Sequence, residues 1–277
     1  MKIDSGASLI FLHIPKTAGS TFHMILNSRF TESETQNLFG SRYSETEIKQ
    51  FINSPMEAKA HVRLLKGHMP FGLHQYLPGN SRYITVLRDP VERVISQYYY
   101  IKKNAHNPLH EQVEKGGLSI AEFVSSGIAV GMNNGQCRFL NGDLDEYGFD
   151  ACGASLIENV KKHIEEHFIW LGVTERFDES IVLLSMLMGW KKRPHYIREN
   201  ISKTRKSRAE ISAEDIEVIK RYNELDIKLY EYANELLDEK ISSLSGFQRE
   251  VELFKEKNAQ IQRRWSWLPD QLKNFVV

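Results

Sequence analysis

Lys16 stands in the segment Leu9–Thr21, LIFLHIPKTAGST, where an apolar run closes in Pro15, a short loop follows, and Phe22–Leu26 reads as a helix. Such a strand–loop–helix unit aims several backbone N–H groups and a helix N-terminus at one spot, which suits a phosphate. Lys16 adds a full positive charge there. Thr17, Ala18, Gly19, Ser20 and Thr21 supply the amides, and Thr17, Ser20 and Thr21 also supply hydroxyls. The lysine precedes the glycine and no G-x-x-x-x-G-K-[ST] is present, so the loop is not a Walker A motif. By itself the segment also fits an ordinary strand-to-helix turn with a surface lysine.

A second set of candidates lies about seventy residues on, in Arg88–Asp89–Pro90–Val91–Glu92–Arg93. Arg88 closes an apolar run, Asp89 is suited to cap a helix, Pro90 to its first turn, and Glu92 to completing a D-x-x-E capping box. Ser96 follows Arg88 by eight residues, about two turns into that helix. The pair fits one anionic group; pairing of Arg88 with a local carboxylate and packing of Ser96 is the alternative. A third candidate is His68, in KGHMPFG, placed just after a strand and beside a glycine. Its unperturbed pKa of about 6.5 leaves much of the imidazole neutral at pH 7, as a general base requires. His13, inside a strand, reads as a packing or hydrogen-bonding residue, and His74 is the weaker alternative base.

The elements that must position these residues are four short apolar runs read as strands: Leu9–Ile14, Val62–Leu65, Tyr83–Leu87 and Phe168–Val173. Helical patterns lie between them, which predicts an α/β fold, P-loop-like and three-layered, with a central, mainly parallel sheet flanked by helices. Ligands of such sheets collect beyond the carboxyl ends of the strands. Here each run is followed at once by a polar segment: PKTAGST, KGHMPFG, RDPVERV or TERFDES. One shared site is the economical reading. Glu175, in the last of these, suits a helix-entry or salt-bridge role.

With both motifs in order, the chain resembles the sulfotransferases that use 3′-phosphoadenylyl sulfate (PAPS), and among them the heparan sulfate 2-O-sulfotransferase branch. The resemblance runs from Leu9 to about Leu237. It implies that the Lys16–Thr21 loop holds the 5′-phosphosulfate and that Arg88 and Ser96, in R-D-P-x-x-R-x-x-S, hold the 3′-phosphate. It also implies that His68 is the base and that a basic segment near residues 198–206 covers the nucleotide, with Lys203 and Arg205 as contacts. The implied reaction is in-line transfer of a sulfuryl group to an acceptor hydroxyl, of a carbohydrate by resemblance. No metal is called for. Two other readings stay open: a P-loop-type nucleotide kinase, and a non-catalytic nucleotide- or glycan-binding module. Magnesium-independent turnover separates the first from a sulfotransferase.

The 277 residues carry 36 Lys+Arg against 36 Asp+Glu, so no charge excess points to nucleic acid or an anionic membrane, and any anion site must be local. Cys137 and Cys152 are too few and too far apart for a zinc cluster or a disulfide scaffold. No apolar run reaches membrane-spanning length, and Met1–Ala7 lacks the pattern of a signal peptide. The expectation is a cytoplasmic protein with no integral membrane segment. Residues 1–241 read as the sulfotransferase-type domain. Residues 242–277 read as a helical tail, packed on that domain or on a second copy in a homo-oligomer. Asn133–Arg138 is rich in hydrogen-bonding groups that would serve either to read a sugar or to cap local structure. Ser212 and Asp215 open a long amphipathic helix, on whose buried stripe Asn223 and Asp226 fall.

Overall fold

The computed structural model describes residues 7–38, 45–142, 148–196 and 206–265. Along the chain these form β1 (Ser8–Leu12), α1 (Gly19–Asn27), β2 (Thr35–Leu38), α2 (Glu45–Asn53), β3 (Leu64–Gly67), β4 (Ser81–Leu87), α3 (Pro90–Lys103), α4 (Ile120–Ser125) and α5 (Gly135–Asn141). Then come α6 (Ala154–His167), β5 (Phe168–Val173), α7 (Phe177–Leu187), α8 (Ala213–Arg221), α9 (Glu224–Ser242) and α10 (Phe247–Trp265). The strands lie in the order β2-β3-β1-β4-β5 and every neighbouring pair is parallel. The α/β class with a parallel central sheet is therefore the one expected. β1 is buried along its whole length, as a central strand covered on both faces must be.

On one face, Phe11 of β1 meets Phe22 of α1 (4.6 Å between ring centroids), and Phe22 stacks on Trp170 of β5 (5.4 Å). The Trp170 indole N–H donates to the Ser180 carbonyl of α7 (3.1 Å), and α10 packs outside α7. On the other face, Tyr83 of β4 stacks on Phe168 of β5 (5.0 Å), with Phe71 and His163 of α6 beyond them. Phe247, Val251 and Phe254 of α10 belong to the same apolar core as the strands.

Sheet order decides where a ligand can sit. The chain leaves β1 toward β2 on one side and leaves β4 toward β5 on the other, so a crevice opens between the carboxyl ends of β1 and β4, which are neighbours. The loop bearing Lys16 and the segment beginning at Arg88 both start there.

Three features differ from the sequence expectation. β2, Thr-Gln-Asn-Leu, is an additional edge strand. It carries one buried side chain and so has no apolar pattern; its order comes from pairing with β3. β3 lies two residues further on than Val62–Leu65, which places Lys66 and Gly67 in the strand and His68 directly beyond it. The long helix opened by Ser212 is divided at Tyr222–Asn223 into α8 and α9, because the Asn223 side chain donates to the carbonyls of Met132 and Ile219 (both 2.9 Å) and holds the break.

Candidate active site

The loop after β1 is shaped by its backbone. Lys16 (φ 72°) and Ala18 (φ 65°) are left-handed, with Thr17 between them. Alternation of this kind turns successive N–H groups toward one concavity, which is the geometry that binds anions. Ala18 caps α1, and the amides of Gly19, Ser20 and Thr21 lie in the first turn of that helix, so they share its positive end. The Thr17 hydroxyl is not available to a ligand. It is buried and donates to the Ile14 carbonyl (2.8 Å), so Thr17 offers the site its amide alone, a correction to the expected hydroxyl. The Lys16 ammonium lies over the ring of Tyr100 on α3, 4.2 Å from its centre.

Arg88 is tied to this loop directly: its Nη1 donates to the Lys16 carbonyl (3.0 Å). Its backbone is clamped from both sides by Gln136, whose Oε1 accepts from the Arg88 N–H (3.0 Å) and whose Nε2 donates to the Arg88 carbonyl (2.8 Å). Asp89 caps α3, accepting from the Glu92 N–H (2.9 Å). The return half of the expected capping box is absent. The Asp89 N–H points instead at the carboxylate of Glu175 (3.3 Å to each oxygen), and Glu92 turns to Arg88 (3.5 Å). Arg88 Nε also lies 3.8 Å from Glu175, so Glu175 has the salt-bridging role expected of it. Burial pushes the Glu175 carboxyl up, against the Asp89 amide and Arg88, which favour its charged form. Ser96 is half-buried on α3, one turn before Tyr100. Residues four apart share a helix face, so Ser96 lies on the side of α3 that Tyr100 turns toward Lys16.

His68 reaches the same place from β3. Its Nδ1 lies 2.9 Å from the His13 carbonyl, and its ring lies 4.2 Å from the His13 ring. A carbonyl only accepts, so Nδ1 carries the proton and Nε2 keeps a lone pair, the tautomer a base needs. Burial lowers the pKa of His68, partly offset by that hydrogen bond, so the ring is neutral at pH 7. His13 stands just past the end of β1, buried, with Nδ1 2.9 Å from Nε2 of His23 on α1. Burial first, and then the neighbouring basic groups, lowers His13 well below its usual value and His23 to about 3. Beside His23, burial lowers the Lys66 ammonium to about 8, and its Nζ donates to Asn27 Oδ1. Gly19 completes the packing: a methyl group built there would meet His13 Nε2 at 1.7 Å.

The structure thus brings together Lys16, the loop amides, Arg88, the Ser96 face of α3 and His68. Lys203 and Arg205 lie outside the described residues. Arg208, just beyond them, reaches Asp89 Oδ2 at 3.2 Å and places a further cation beside Arg88. His74 is not part of the site. It bonds to the hydroxyl of Tyr83 (3.1 Å), five residues back along β4 from Arg88, about 16 Å at strand rise. Of Asn133–Arg138, the two asparagines serve local structure. Asn133 Oδ1 accepts from buried Arg138 (2.9 Å), and Asn134 Oδ1 accepts from the Leu225 N–H (2.9 Å). Asp226 accepts from the amides of Gln136 and Cys137 (2.9 and 2.8 Å), so both buried residues of the α9 region hydrogen-bond. Gln136 and Arg208 are the neighbours that motif spacing missed. Only the polar cluster around Gln136 signalled either.

No helix of the described residues is long and apolar enough to cross a membrane, and no group of three or more His, Cys, Asp or Glu among them is placed to hold a metal.

A family model described as galactose-3-O-sulfotransferase matches residues 4–271. Human galactose-3-O-sulfotransferase 2 is 26% identical over 248 residues, 83% of this chain and 60% of that protein. Chicken (Gallus gallus) heparan-sulfate 6-O-sulfotransferase 2 is 24% identical over 282 residues, 82% of this chain and 66% of that protein. The chain spans about three fifths of the length of the galactose-3-O-sulfotransferases 2 it matches. Among solved structures, mouse sulfotransferase SULT7A1 complexed with PAP aligns over 79% of this chain and 65% of that one at 14% identity, with a TM-score of 0.39. A sulfotransferase from Alicyclobacillus acidocaldarius aligns over 83% and 96% at 11% identity, with a TM-score of 0.44.

Proposed function

The chain belongs to the galactose-3-O-sulfotransferase family, and we propose that it transfers the sulfuryl group of PAPS to a hydroxyl of a saccharide, with galactose the acceptor sugar. The observation that carries this reading is the convergence on the end of β1 of an amide-lined cationic loop, an arginine bonded to that loop, and a neutral histidine whose Nδ1–H is held by the His13 carbonyl. The loop fits a phosphosulfate because left-handed backbone at Lys16 and Ala18 aims N–H groups into one hollow. Arg88, Ser96 and Arg208 suit a second anionic group on the nucleotide. The motifs, through their resemblance to the heparan sulfate 2-O-sulfotransferase branch, imply only a carbohydrate acceptor; the family model and the galactose-3-O-sulfotransferase relatives favour galactose, which makes it the first acceptor to assay.

PAPS supplies an activated sulfuryl group whose departure leaves charge on the bridging oxygen. Lys16, swung from the Tyr100 ring, neutralises that charge, and the loop amides hold the peripheral oxygens. His68 Nε2 takes the proton of the attacking hydroxyl as the new O–S bond forms and the bond from sulfur to the bridging oxygen breaks. The His13 carbonyl holds the imidazolium by its Nδ1–H.

Calorimetric titration with 3′,5′-phosphoadenosine (PAP), beside ATP plus Mg²⁺, tests the reading. Metal-independent binding of PAP, weakened about tenfold or more by Arg88→Ala and Ser96→Ala, is expected, together with loss of galactoside sulfation in Lys16→Ala. A preference for Mg²⁺–ATP would replace the proposal with the kinase reading. Turnover unchanged in Lys16→Ala would remove that residue from the chemistry.

A further inference from the structure

At the opposite end of the sheet, a groove of about 640 Å³ is lined by Trp190, Lys191, Lys192, Arg193, His195 and Lys257, with Leu253 and Phe254 also in its wall. Its position follows from the fold. α1 and α7 both start at the carboxyl ends of their strands, and each runs back along the sheet. Arg29 follows α1 by two residues and Trp190 follows α7 by three. The nine residues of α1 alone span about 13 Å, so the groove is one helix length away from Lys16.

Its chemistry is unlike the rest of a chain whose charges balance. The Arg29 guanidinium lies over the Trp190 ring, 5.0 Å from its centre, and the His195 ring stacks on Phe254 at 5.8 Å. Of the five cations gathered there, Arg193 is ion-paired, with Glu250. Arg29, Lys191, Lys192 and Lys257 have no ion-pair partner among the described residues. Two buried nitrogens at this place, Nε of Arg29 and Nδ1 of His195, have no hydrogen-bond partner among those residues either. Lys257 and Arg29 both face His195 closely enough to disfavour its charged form, after burial itself. Like charges gathered on one face repel one another, and an anion held between them removes that repulsion. An aromatic face beside the cations suits the apolar face of a sugar ring, with the charge on its substituent.

We propose that this groove is a second binding site, remote from the transfer chemistry, for the sulfate or carboxylate groups of an acidic saccharide chain. It rests on the saccharide reading of the acceptor and adds that the chain bound is anionic away from the hydroxyl being modified. The groove then anchors a long acceptor by its charge, while the loop at β1 acts on a separate sugar.

The test is calorimetric binding of a sulfated oligosaccharide and of its desulfated counterpart to the full chain, with PAP titrated separately. The expected result is at least tenfold tighter binding of the sulfated form, lost in Lys192→Glu/Lys257→Glu and weakened in Trp190→Ala, with PAP affinity unchanged in both variants. Binding should also fall with salt, as exposed charge pairs are screened. Equal binding of the desulfated form, or no effect of the charge reversals, would overturn the proposal. Full displacement by millimolar inorganic sulfate would reduce the groove to a simple ion site, and equal competition by duplex DNA to a general polyanion surface; either overturns it. PAP binding reports on the transfer site alone. Its absence beside intact saccharide binding would sink the sulfotransferase reading and leave the groove standing.

Discussion

Replacing Gly19 with alanine tests how the loop and the base are built on each other. Its φ is not left-handed, so the backbone tolerates a side chain and the whole effect is steric. The added methyl would lie 1.7, 2.1 and 2.5 Å from three atoms of the His13 ring, far inside contact distance. The buried ring must swing away, which breaks its 2.9 Å bond to His23 and disturbs its packing on His68 and Phe11. Overpacking costs about 1–3 kcal/mol and the lost hydrogen bond about 1, so Gly19→Ala should destabilise by about 2–4 kcal/mol. The His13 carbonyl also orients His68, and a shift of about 1 Å in a reacting group costs on the order of a hundredfold in rate. Urea unfolding and kcat on one preparation measure both effects. In the double variant Gly19→Ala/His13→Ala the methyl enters space vacated by the imidazole, so the double loss should fall short of the sum of the single losses by at least about 1 kcal/mol. Strict additivity, or a Gly19→Ala protein of wild-type stability, would refute the claim that the ring of His13 occupies the space above Gly19.

Two further outcomes follow from the same site. His13, His23 and His68 all have folded-state pKa values below their usual one, so the unfolded chain binds their protons first as pH falls. Their contribution is therefore complete above about pH 6.5 and is lost downward through the folded values, toward about 3 for His23, at up to about 1.4 kcal/mol per histidine per pH unit. His74, His167 and His195 are shifted in the same direction by burial and add to the slope. The urea midpoint should drop steeply from pH 7 to 5.5, less steeply in His23→Gln, and a flat midpoint over that range would contradict the buried neutral cluster. Gln136→Ala removes both bonds that clamp the Arg88 backbone and should cost about 1–3 kcal/mol while weakening PAP binding. Gln136→Glu keeps the acceptor for the Arg88 N–H and should fall between; if PAP affinity ignores both changes, the clamp does not position Arg88.

Much of this protein could be read from residue order because the deciding interactions are local. An apolar run ending in Pro-Lys-Thr-Ala-Gly-Ser-Thr specifies a buried strand, a tight loop and a helix start within one stretch of chain. Asp89 and Pro90 likewise begin α3 through contacts a few residues apart. Segments of that kind fix Lys16, Arg88 and His68 at strand ends whatever the order of strands in the sheet. Tertiary structure decided what depends on partners distant in sequence. β2 exists because β3 offers it a ladder, and Glu92 abandons its capping box because Glu175, far along the chain, takes the Asp89 amide. Gln136 clamps Arg88 across 48 positions, and the His13 carbonyl fixes the tautomer of His68 across 55. The groove at Trp190 joins Arg29 after α1 to Lys257 on α10, two ends of the chain with no shared motif. Local propensity cannot report these features, because each is set by which surfaces the parallel sheet brings together once its helices are packed.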